Sequence, residues 1–362
     1  MRTWTVLSLC GVCLALLAVA VCERALGPHA PPTYSGPEVR VARVSGPYGH
    51  DNLAVFLIHA DRQDQRDFLT LDEGLGTGQV EIAESEQEQV QKLVIDNRSD
   101  QPLYIQEGDR IQGGKQDRIV ATSLVIAPHS GKQPLPAFCI EQSRWQAGLG
   151  GLRFGATSNT ALAPKGARGA AKFEKEQGKV WANVAAVKVT AKQELDAANT
   201  NSSANELFDA PQLEKVFKDY TGDLAELLDK HPDAVGVAVV INGQFEEADV
   251  YPNHTLFRKV CPRLVQSYAV QAALLKEGAK DAPNFTADEV FAQLQQGEAR
   301  AARDEQLDAH NLLQIRELDD KVYQCTTRYE GRQVNWQVMK KAAAPDGTNP
   351  APRRRATLGS EW

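Results

Sequence analysis

A series of short apolar segments dominates residues 91–142 and limits the folds open to the chain. The segments, rich in Val, Ile, Leu and Tyr, are QKLVIDN, PLYIQ, DRIQ, RIVATSLVIAP and LPAFCIEQ. RSDQ, EGD, GG and HSGKQ separate them and carry the residue types of tight turns. Strands joined by such short connections pair with their neighbours in antiparallel fashion. The sequence therefore predicts an antiparallel β-sandwich or barrel-like layer.

The stretch Arg110–Arg118, RIQGGKQDR, raises the question of a phosphate-binding loop. Such a loop has the pattern G-x-x-x-x-G-K-[ST] and leads from a strand into a helix. Here Lys115 follows the glycines directly, and Gln116 leads into another strand-like run. Gly113 and Gly114 instead fit the centre of a β-hairpin turn, because glycine adopts positive φ without steric cost.

The second half of the chain mixes helical and β patterns. Helices are predicted at about 180–198, 210–230 and 254–278, the last containing Pro262, and capping boxes at Thr70/Glu73 and Thr286/Glu289 predict two shorter ones. Asn242-Gly243 and Glu330-Gly331 predict the turns of two β-hairpins. The predicted fold class is α+β, with the antiparallel layer followed by helices packed with two β-hairpins.

Length and composition shift along the chain and suggest its organisation. The chain has 362 residues, and its formal net charge of -7 argues against a nucleic-acid binder, which needs a basic face. We predict a signal peptide (1–20), a flexible Pro/Gly-rich tether (21–45), a β-rich part (46–155), a loop (156–179), an α+β part (180–341) and a disordered tail (342–362).

The first residues have the pattern of an export signal. Arg2 precedes an apolar run from Val6 to Val21, and Ala18-Val19-Ala20 fits cleavage after Ala20. An uncleaved membrane anchor is one alternative, since the run is nearly long enough to span a bilayer. Lipidation at Cys22 is another. We therefore expect a secreted or periplasmic protein, or a membrane-anchored one if the segment is uncleaved.

Export affects how the cysteines are interpreted. Two of the six lie in the signal, which leaves Cys22, Cys139, Cys261 and Cys325 in an oxidising compartment. No C-x-x-C pair follows the signal and no histidine pair has zinc-ligand spacing, so we predict no metal site. We predict a disulfide between Cys261 and Cys325, with four separate cysteines as the alternative.

Two polar segments are candidate sites, GGKQDR and CIEQSRW. The predicted ligand-binding residues are Lys115, Gln116, Arg118, Glu141, Arg144 and Trp145. Dense charged and amide side chains on two strands can recognise an anionic or sugar-like ligand. The leading hypothesis is an exported module that binds such a ligand or an envelope protein, without a cofactor.

Two other hypotheses use the same polar segments. In the first, Glu107, Asp109 or Glu141 acts as the general acid or base of a hydrolase, which requires neighbouring carboxylates with different pKa values. In the second, the polar side chains form a structural network that locks the strands together. Cys139 beside Glu141 would need a histidine or another cation to become a nucleophile, and His50, His59 or His129 could approach it in space.

Long, co-linear segments of the chain resemble a known family. They include LTLDEGLGTGQVEIAE, LVIDNRSDQPLYIQEGDRIQGGKQDRIVATSLVIAPHSGKQPLPAFCIEQSRW, QGKVWANV and GVAVVINGQFEEADVYPNHTLFRKVCPRLVQSYAVQAAL. They resemble the ARG-and-Rhodanese-Phosphatase-superfamily-associated protein domain from about Gly46 to Lys340. The family pattern GGKQ-R falls on Gly113–Arg118, and C-E-x-x-RW on Cys139–Trp145. Because the family's biochemical activity is not established, the resemblance implies boundaries but no reaction.

Overall fold

The computed structural model describes residues 38–85, 92–141, 153–157, 161–196, 203–276, 285–295, 297–319 and 321–342. The predicted signal peptide, most of the predicted tether, and Arg144 and Trp145 lie outside these ranges, as does the predicted tail beyond residue 342. The described chain is a mixed α+β protein, which confirms the predicted fold class.

The strands fall into three groups, and their bounds follow. They are β1 (Val41–His50), β2 (Leu53–Ala60), β3 (Leu69–Thr70), β4 (Val80–Glu84), β5 (Lys92–Asn97), β6 (Leu103–Ile105), β7 (Arg110–Gly113), β8 (Arg118–Val120), β9 (Leu124–Ile126), β10 (Lys132–Cys139), β11 (Arg153–Ala156), β12 (Ala234–Ile241), β13 (Gln244–Val250), β14 (Ala301–Gln306), β15 (Asn311–Glu317), β16 (Val322–Tyr329) and β17 (Arg332–Lys340).

The helices lie mostly in the second half of the described chain. They are α1 (Leu71–Gly76), α2 (Lys165–Gly169), α3 (Gln177–Leu195), α4 (Ala204–Phe208), α5 (Pro211–Thr221), α6 (Leu224–Lys230), α7 (His254–Leu274) and α8 (Ala287–Leu294), with a π-helical turn, Ala170–Glu174, directly after α2. Among the described residues, none of these helices has the length and apolar character needed to cross a membrane.

An eight-stranded antiparallel sheet joins the two ends of the described chain. Its strand order is β1-β2-β12-β13-β17-β16-β15-β14. Leu57 of β2 pairs with Val237 of β12, so the first hairpin belongs to the same sheet as the last strands. This sheet therefore contains strands from both sides of the predicted boundary near residue 155.

The predicted antiparallel layer is a closed six-stranded barrel in the order β10-β5-β4-β11-β7-β8. Its interior is a cluster of fully buried aliphatic side chains that includes Ile82, Leu93, Ile95 and Leu135. A small sheet, β3-β6-β9, lies beside it. Closure leaves the barrel no exposed strand edge, which explains how so many short strands remain stable.

The largest core lies between α7 and the β2–β12 part of the eight-stranded sheet. Fully buried side chains of α7, including Phe257, Val260 and Leu264, pack against Leu57 and Val239. Pro262 lies in the interior of α7 and not in its first turn, and the helix continues to Leu274. Asn253 caps the helix by accepting a hydrogen bond from the backbone N–H of Leu256 at 2.9 Å.

The predicted turns and caps are confirmed. Asn242-Gly243 and Glu330-Gly331 connect β12 to β13 and β16 to β17, all four residues having positive φ. Gly113 and Gly114 also have positive φ, and β7 pairs with β8. That connection is longer than the predicted two residues, because β8 begins only at Arg118. Both predicted capping boxes are present.

Three predicted segments differ from the structure. The end of the predicted tether is β1, and the predicted loop 156–179 contains α2, the π-helical turn and the start of α3. The small residues of that loop favour an irregular segment by composition, but Ala163, Ala167 and Ala170 are buried in one cluster with barrel side chains. The predicted helix 210–230 is two helices, interrupted around Gly222.

The predicted disulfide is wrong. Cys261 and Cys325 are buried free thiols, as is Cys139. Cys261 packs in the core under α7, whereas Cys325 lies on β16 with Leu313 and Ile315 in a separate cluster. Burial raises the pKa of the Cys325 thiol to about 12 and that of the Cys139 thiol to about 11, so both stay protonated and unreactive at neutral pH.

Candidate functional site

A network of fully buried charges joins the barrel side of the molecule to the eight-stranded sheet. Arg168 of α2 donates to both carboxylate oxygens of Glu247 on β13, at 3.0 and 2.6 Å. Lys172 donates to Glu107 and, at 2.8 Å, to Gln337 of β17. These charged side chains are 0–1% exposed, so the network is sealed from solvent. We call it the ion network.

Local backbone geometry explains how these residues meet. Glu247 lies opposite Val239 on β12, so the sheet face that is apolar beneath α7 becomes polar along β13. Gly108, in the turn that carries Glu107, has φ +82°, and a Cβ there would lie 2.2 Å from the Cδ atom of Arg168. Only glycine allows this close approach.

The ion network is electrically balanced. Burial disfavours the charged form of Lys172, but neighbouring groups, including Glu107, hold its pKa above the usual value. Burial raises the pKa of Asp249, and the nearby Glu247 raises it further, which favours the uncharged form of Asp249. Two cations, Arg168 and Lys172, face two anions, Glu107 and Glu247, which limits the cost of desolvation.

Asp109 belongs to a second buried ion pair. Its carboxylate accepts a hydrogen bond from Arg263 of α7, and Arg263 also lies 3.2 Å from Asp72 of α1. Burial raises the pKa of Asp109 to about 7, against the opposing effect of Arg263. The pair connects the long helix to the turn before β7.

The two predicted polar segments do meet. The backbone N–H of Asp117 donates to Glu141 at 3.1 Å, and Ser203 donates to the Asp117 carboxylate at 2.6 Å. Arg118 is fully buried and lies 3.3 Å from Glu84 of β4. Gln116 and Glu141 are 4 and 7% exposed, and Lys115 is half-buried, so these side chains contact mainly other protein groups.

The predicted catalytic carboxylates occupy enclosed positions. Glu107 and Asp109 are 0% exposed, and each is paired with a buried cation. A general acid or base must come within hydrogen-bond distance of its substrate. Within the described part of the chain, these contacts fit a role in holding the elements together.

An open groove lies on the other side of α2. Its cavity of about 660 Å³ has a wall of six apolar side chains: Ala186, Val187, Phe208, Val270, Leu274 and Leu275. Leu275 is 45% exposed, unusually high for a large apolar side chain in this protein. Ligand sites typically have volumes of roughly 300–1,000 Å³. We call this cavity the lysine groove, after the four lysines described next.

Lys165, Lys321, Lys340 and Lys341 all line this groove, together with the single acid Glu246. Lys165 is buried and donates to Glu246, and burial lowers the pKa of Lys165 despite that partner. Lys340 donates to Gln244 at 2.7 Å. The lining carries an excess of positive charge in a chain whose net charge is -7.

A second cavity of about 510 Å³ extends the lysine groove along α3. Both cavities are lined by Gly166, Asn183 and Lys341, and the second also has the stacked rings of Phe173 and Tyr323, whose centroids lie 3.8 Å apart. A Cβ on Gly166 would lie 2.1 Å from the Asn183 side chain. Gly166 therefore allows the Asn183 side chain of α3 to approach α2 closely.

Sequence reasoning missed the groove lysines and the cations of the ion network. Lys165, Arg168 and Lys172 are spaced three and four residues apart, which is the spacing of one helix face. That signal was available, but the surrounding glycines and alanines favoured a loop. Lys340 ends β17 and Lys341 follows it, about 170 residues later, and nothing local connects them to α2.

The fold and these contacts define an α+β protein built around a sealed ion network, with a cationic groove on its surface. The chain belongs to the ARG and Rhodanese-Phosphatase-superfamily-associated Protein domain family, whose profile matches residues 42–339. The chain matches no curated protein and no solved structure at a significant level.

Proposed function

We propose that the protein is an exported binding protein whose ligand is a small amphiphilic anion held in the lysine groove. The main support for this proposal is that one cavity of about 660 Å³ combines an apolar wall with four lysines. An apolar chain would lie along α3 and α7, and its carboxylate, sulfate or phosphate would face the lysine ammonium groups.

Charge complementarity supports an anion rather than a neutral or cationic ligand. Glu246 pairs with Lys165 and lies 3.8 Å from Lys340, and Glu317 lies 3.4 Å from Lys341. Four groove lysines therefore share two acidic partners, which leaves a net positive charge to attract the ligand. Lys340 and Lys341 have side chains that are 31 and 26% exposed, so their ammonium groups are partly desolvated and still reachable. Partial desolvation strengthens their attraction for an anion.

This proposal moves the ligand site away from the GGKQDR and CIEQSRW segments. Arg118 and Glu141 are buried and contact other protein groups, which favours the structural-network hypothesis for that set. A binding function is likewise favoured over a hydrolase that uses Glu107 or Asp109 as its acid or base. Lys115 keeps the GGKQ turn in place, because its backbone N–H donates to Glu84 at 2.8 Å.

Export rests on the sequence of residues 1–20, which lie outside the described residues. Mass spectrometry of the protein from its native host should find an N-terminus near Val21 without a lipid. A diacylglyceryl mass on Cys22, or an intact Met1 in the membrane fraction, would contradict cleavage and release.

Thermal unfolding with simple probe ligands tests the binding proposal. Decanoate should raise the unfolding midpoint, because a ligand at 100 times its Kd stabilises the folded state by about 2.7 kcal/mol. Acetate, which lacks the chain, and decyltrimethylammonium, which has the opposite charge, should give no comparable shift.

Matched variants assign the effect to the lysine groove. A Lys340→Met/Lys341→Met variant should lose most of the decanoate shift, since two of the four groove cations are gone. Lys192→Met, on the exposed side of α3, removes a charge outside the groove and should retain the shift. An equal shift with the cationic probe, or equal loss in both variants, would contradict the proposal.

A further inference from the structure

A chain of hydrogen bonds at the edge of the eight-stranded sheet links a serine, a histidine and an aspartate. The Oγ atom of Ser45 lies 2.7 Å from Nε2 of His59, and Nδ1 of His59 lies 3.0 Å from Oδ1 of Asp233. The residues come from β1, β2 and the turn before β12. This is the connectivity of a nucleophile, its base and the group that orients the base.

The strand backbone is irregular directly after Ser45. The register of β1 and β2 is irregular between Ser45 and Tyr48, and Gly46 has φ +118°. A Cβ on Gly46 would lie 3.0 Å from the carbonyl oxygen of Val55. The bulge re-aims the strand directly after the serine, as bulges often do beside functional groups.

The hydrogen bonds among these side chains can all run in one direction, from Tyr48 to Ser45 and from Ser45 to His59. Nε2 of His231 lies 3.3 Å from the Tyr48 hydroxyl, and that hydroxyl donates to Ser45 at 3.1 Å. Ser45 is then free to donate to Nε2 of His59, provided that His59 carries its proton on Nδ1 toward Asp233. Arg43 donates to the other oxygen of Asp233 at 2.6 Å and fixes that carboxylate.

The imidazole is buried, whereas the serine is partly exposed. His59 is 0% exposed, and burial lowers its pKa despite the opposing effect of Asp233, so the imidazole is neutral at pH 7. Ser45 and Tyr48 are half-buried. Tyr48 also lines a cavity of about 460 Å³ whose wall includes Val55, Leu224 and other apolar side chains.

A metal ion is the competing occupant. Ligand atoms of His59, His231 and Asp233 lie within 4.8 Å of one another. However, Ser45 and Asp233 already engage the two ring nitrogens of His59, and the Arg43 guanidinium stands where it would repel a cation. The contacts therefore favour a nucleophile over a metal centre.

We propose that Ser45 is the nucleophile of an esterase activity toward carboxylic esters with a small apolar acyl group. Its Oγ forms a bond to the ester carbonyl carbon while its proton passes to His59. The ester C–O bond then breaks, and the alcohol leaves with that proton. Water attacks the acyl-serine in the same way, releasing the acid and restoring Ser45. Once Oγ of Ser45 is bonded to carbon, the Tyr48 hydroxyl that donated to it can donate to the developing oxyanion.

Covalent labelling of the full chain with an alkyl fluorophosphonate tests the proposal. The serine Oγ bonds to phosphorus, the P–F bond breaks, fluoride leaves and the proton passes to His59. Peptide mapping should find one adduct, on Ser45, and Ser45→Ala should remove it. Ser130→Ala is the control, because that half-buried hydroxyl donates to the Gly131 carbonyl instead of an imidazole.

Two further variants separate activation from folding. Asp233→Asn, at a side chain that is 45% exposed, should fold and slow labelling by at least about 100-fold. His59→Gln should abolish labelling at a retained unfolding midpoint. No adduct on Ser45, or a rate unchanged by Asp233→Asn, would overturn the proposal. So would stoichiometric Zn²⁺ binding that His231→Ala abolishes while Ser45 stays unlabelled.

Discussion

Replacing Glu107 by glutamine should destabilise the protein strongly, because it unbalances the ion network. The substitution keeps the side-chain shape but leaves Lys172 and Arg168 facing only one anion, Glu247, in a region that is 0–1% exposed. The Arg168 guanidinium lies 3.6 Å from Glu107. Two unit charges at that distance attract by about 5 kcal/mol at an effective dielectric constant of about 20.

The measured loss should be somewhat smaller than this attraction, since the structure relaxes around the change. Removing one partner of a buried pair costs about 3–5 kcal/mol, against a total stability of about 5–15 kcal/mol. Urea denaturation at pH 7 of Glu107→Gln and of Lys172→Met should show losses of this size. The variants should be compared where the dependence of the unfolding free energy on urea concentration is unchanged, because only the stability then differs.

The double variant distinguishes charge imbalance from lost packing. Glu107→Gln/Lys172→Met restores neutrality, so its loss should be less than the sum of the single losses by about 1–3 kcal/mol. Glu226→Gln is the matched control, because the Glu226–Lys230 pair is 2.6 Å apart but 70 and 66% exposed. That variant should have nearly the stability of the unchanged protein, since exposed ion pairs contribute little. Additive single losses, or equal losses in the buried and exposed pairs, would refute the reasoning.

Three further predictions concern the backbone, the cysteines and pH. Gly108→Ala should cost more stability in urea denaturation than Gly131→Ala, because both have positive φ but only Gly108 has a side chain within 4 Å of the added Cβ. Non-reducing peptide mapping should find free thiols at Cys261 and Cys325, and a linked peptide pair would contradict the fold. Acidification from pH 7 to pH 5 has opposing effects, because the lowered pKa of buried His59 destabilises the folded state whereas the raised pKa of Asp109 stabilises it. The unfolding midpoint of His59→Gln should therefore fall less, or rise more, over this range than that of the unchanged protein, and an identical pH profile would contradict burial of the imidazole.

Local signals in the sequence predicted the local features of the fold. The Asn242-Gly243 and Glu330-Gly331 turns and the Thr286 capping box depend on neighbouring residues alone, and the structure confirms them. Tight turns between the short strands also predicted the barrel-like layer. In these cases the residues that determine the structure lie within a few positions of one another.

Long-range pairing could not be inferred in the same way. β1 pairs with β2 as a hairpin, but only the pairing of β2 with β12 places both in a sheet with strands from the far end of the chain. The sequence of β1, VARVSGPYGH, has the glycines and proline of a tether, and pairing with β2 stabilises it as a strand.

The candidate sites depend on the same long-range contacts. Ser45, His59 and Asp233 meet only after β1, β2 and the turn before β12 come together. Lys165 and Lys340 are likewise far apart in sequence, and side-chain chemistry alone does not pair them. The CIEQSRW segment has the local composition of a binding site, but its Glu141 carboxylate accepts a hydrogen bond from the backbone N–H of Asp117.

The most direct test of the proposed function is to locate a bound anion by photochemical crosslinking. A decanoic acid carrying a diazirine at its chain end, irradiated with the full-length protein, should crosslink to groove residues of α3 and α7, such as Val187 and Leu274. Excess decanoate should compete, and Lys340→Met/Lys341→Met should reduce the yield. Crosslinks confined to peptides outside the lysine groove, or a yield that decanoate does not reduce, would contradict an amphiphile-binding function for this protein.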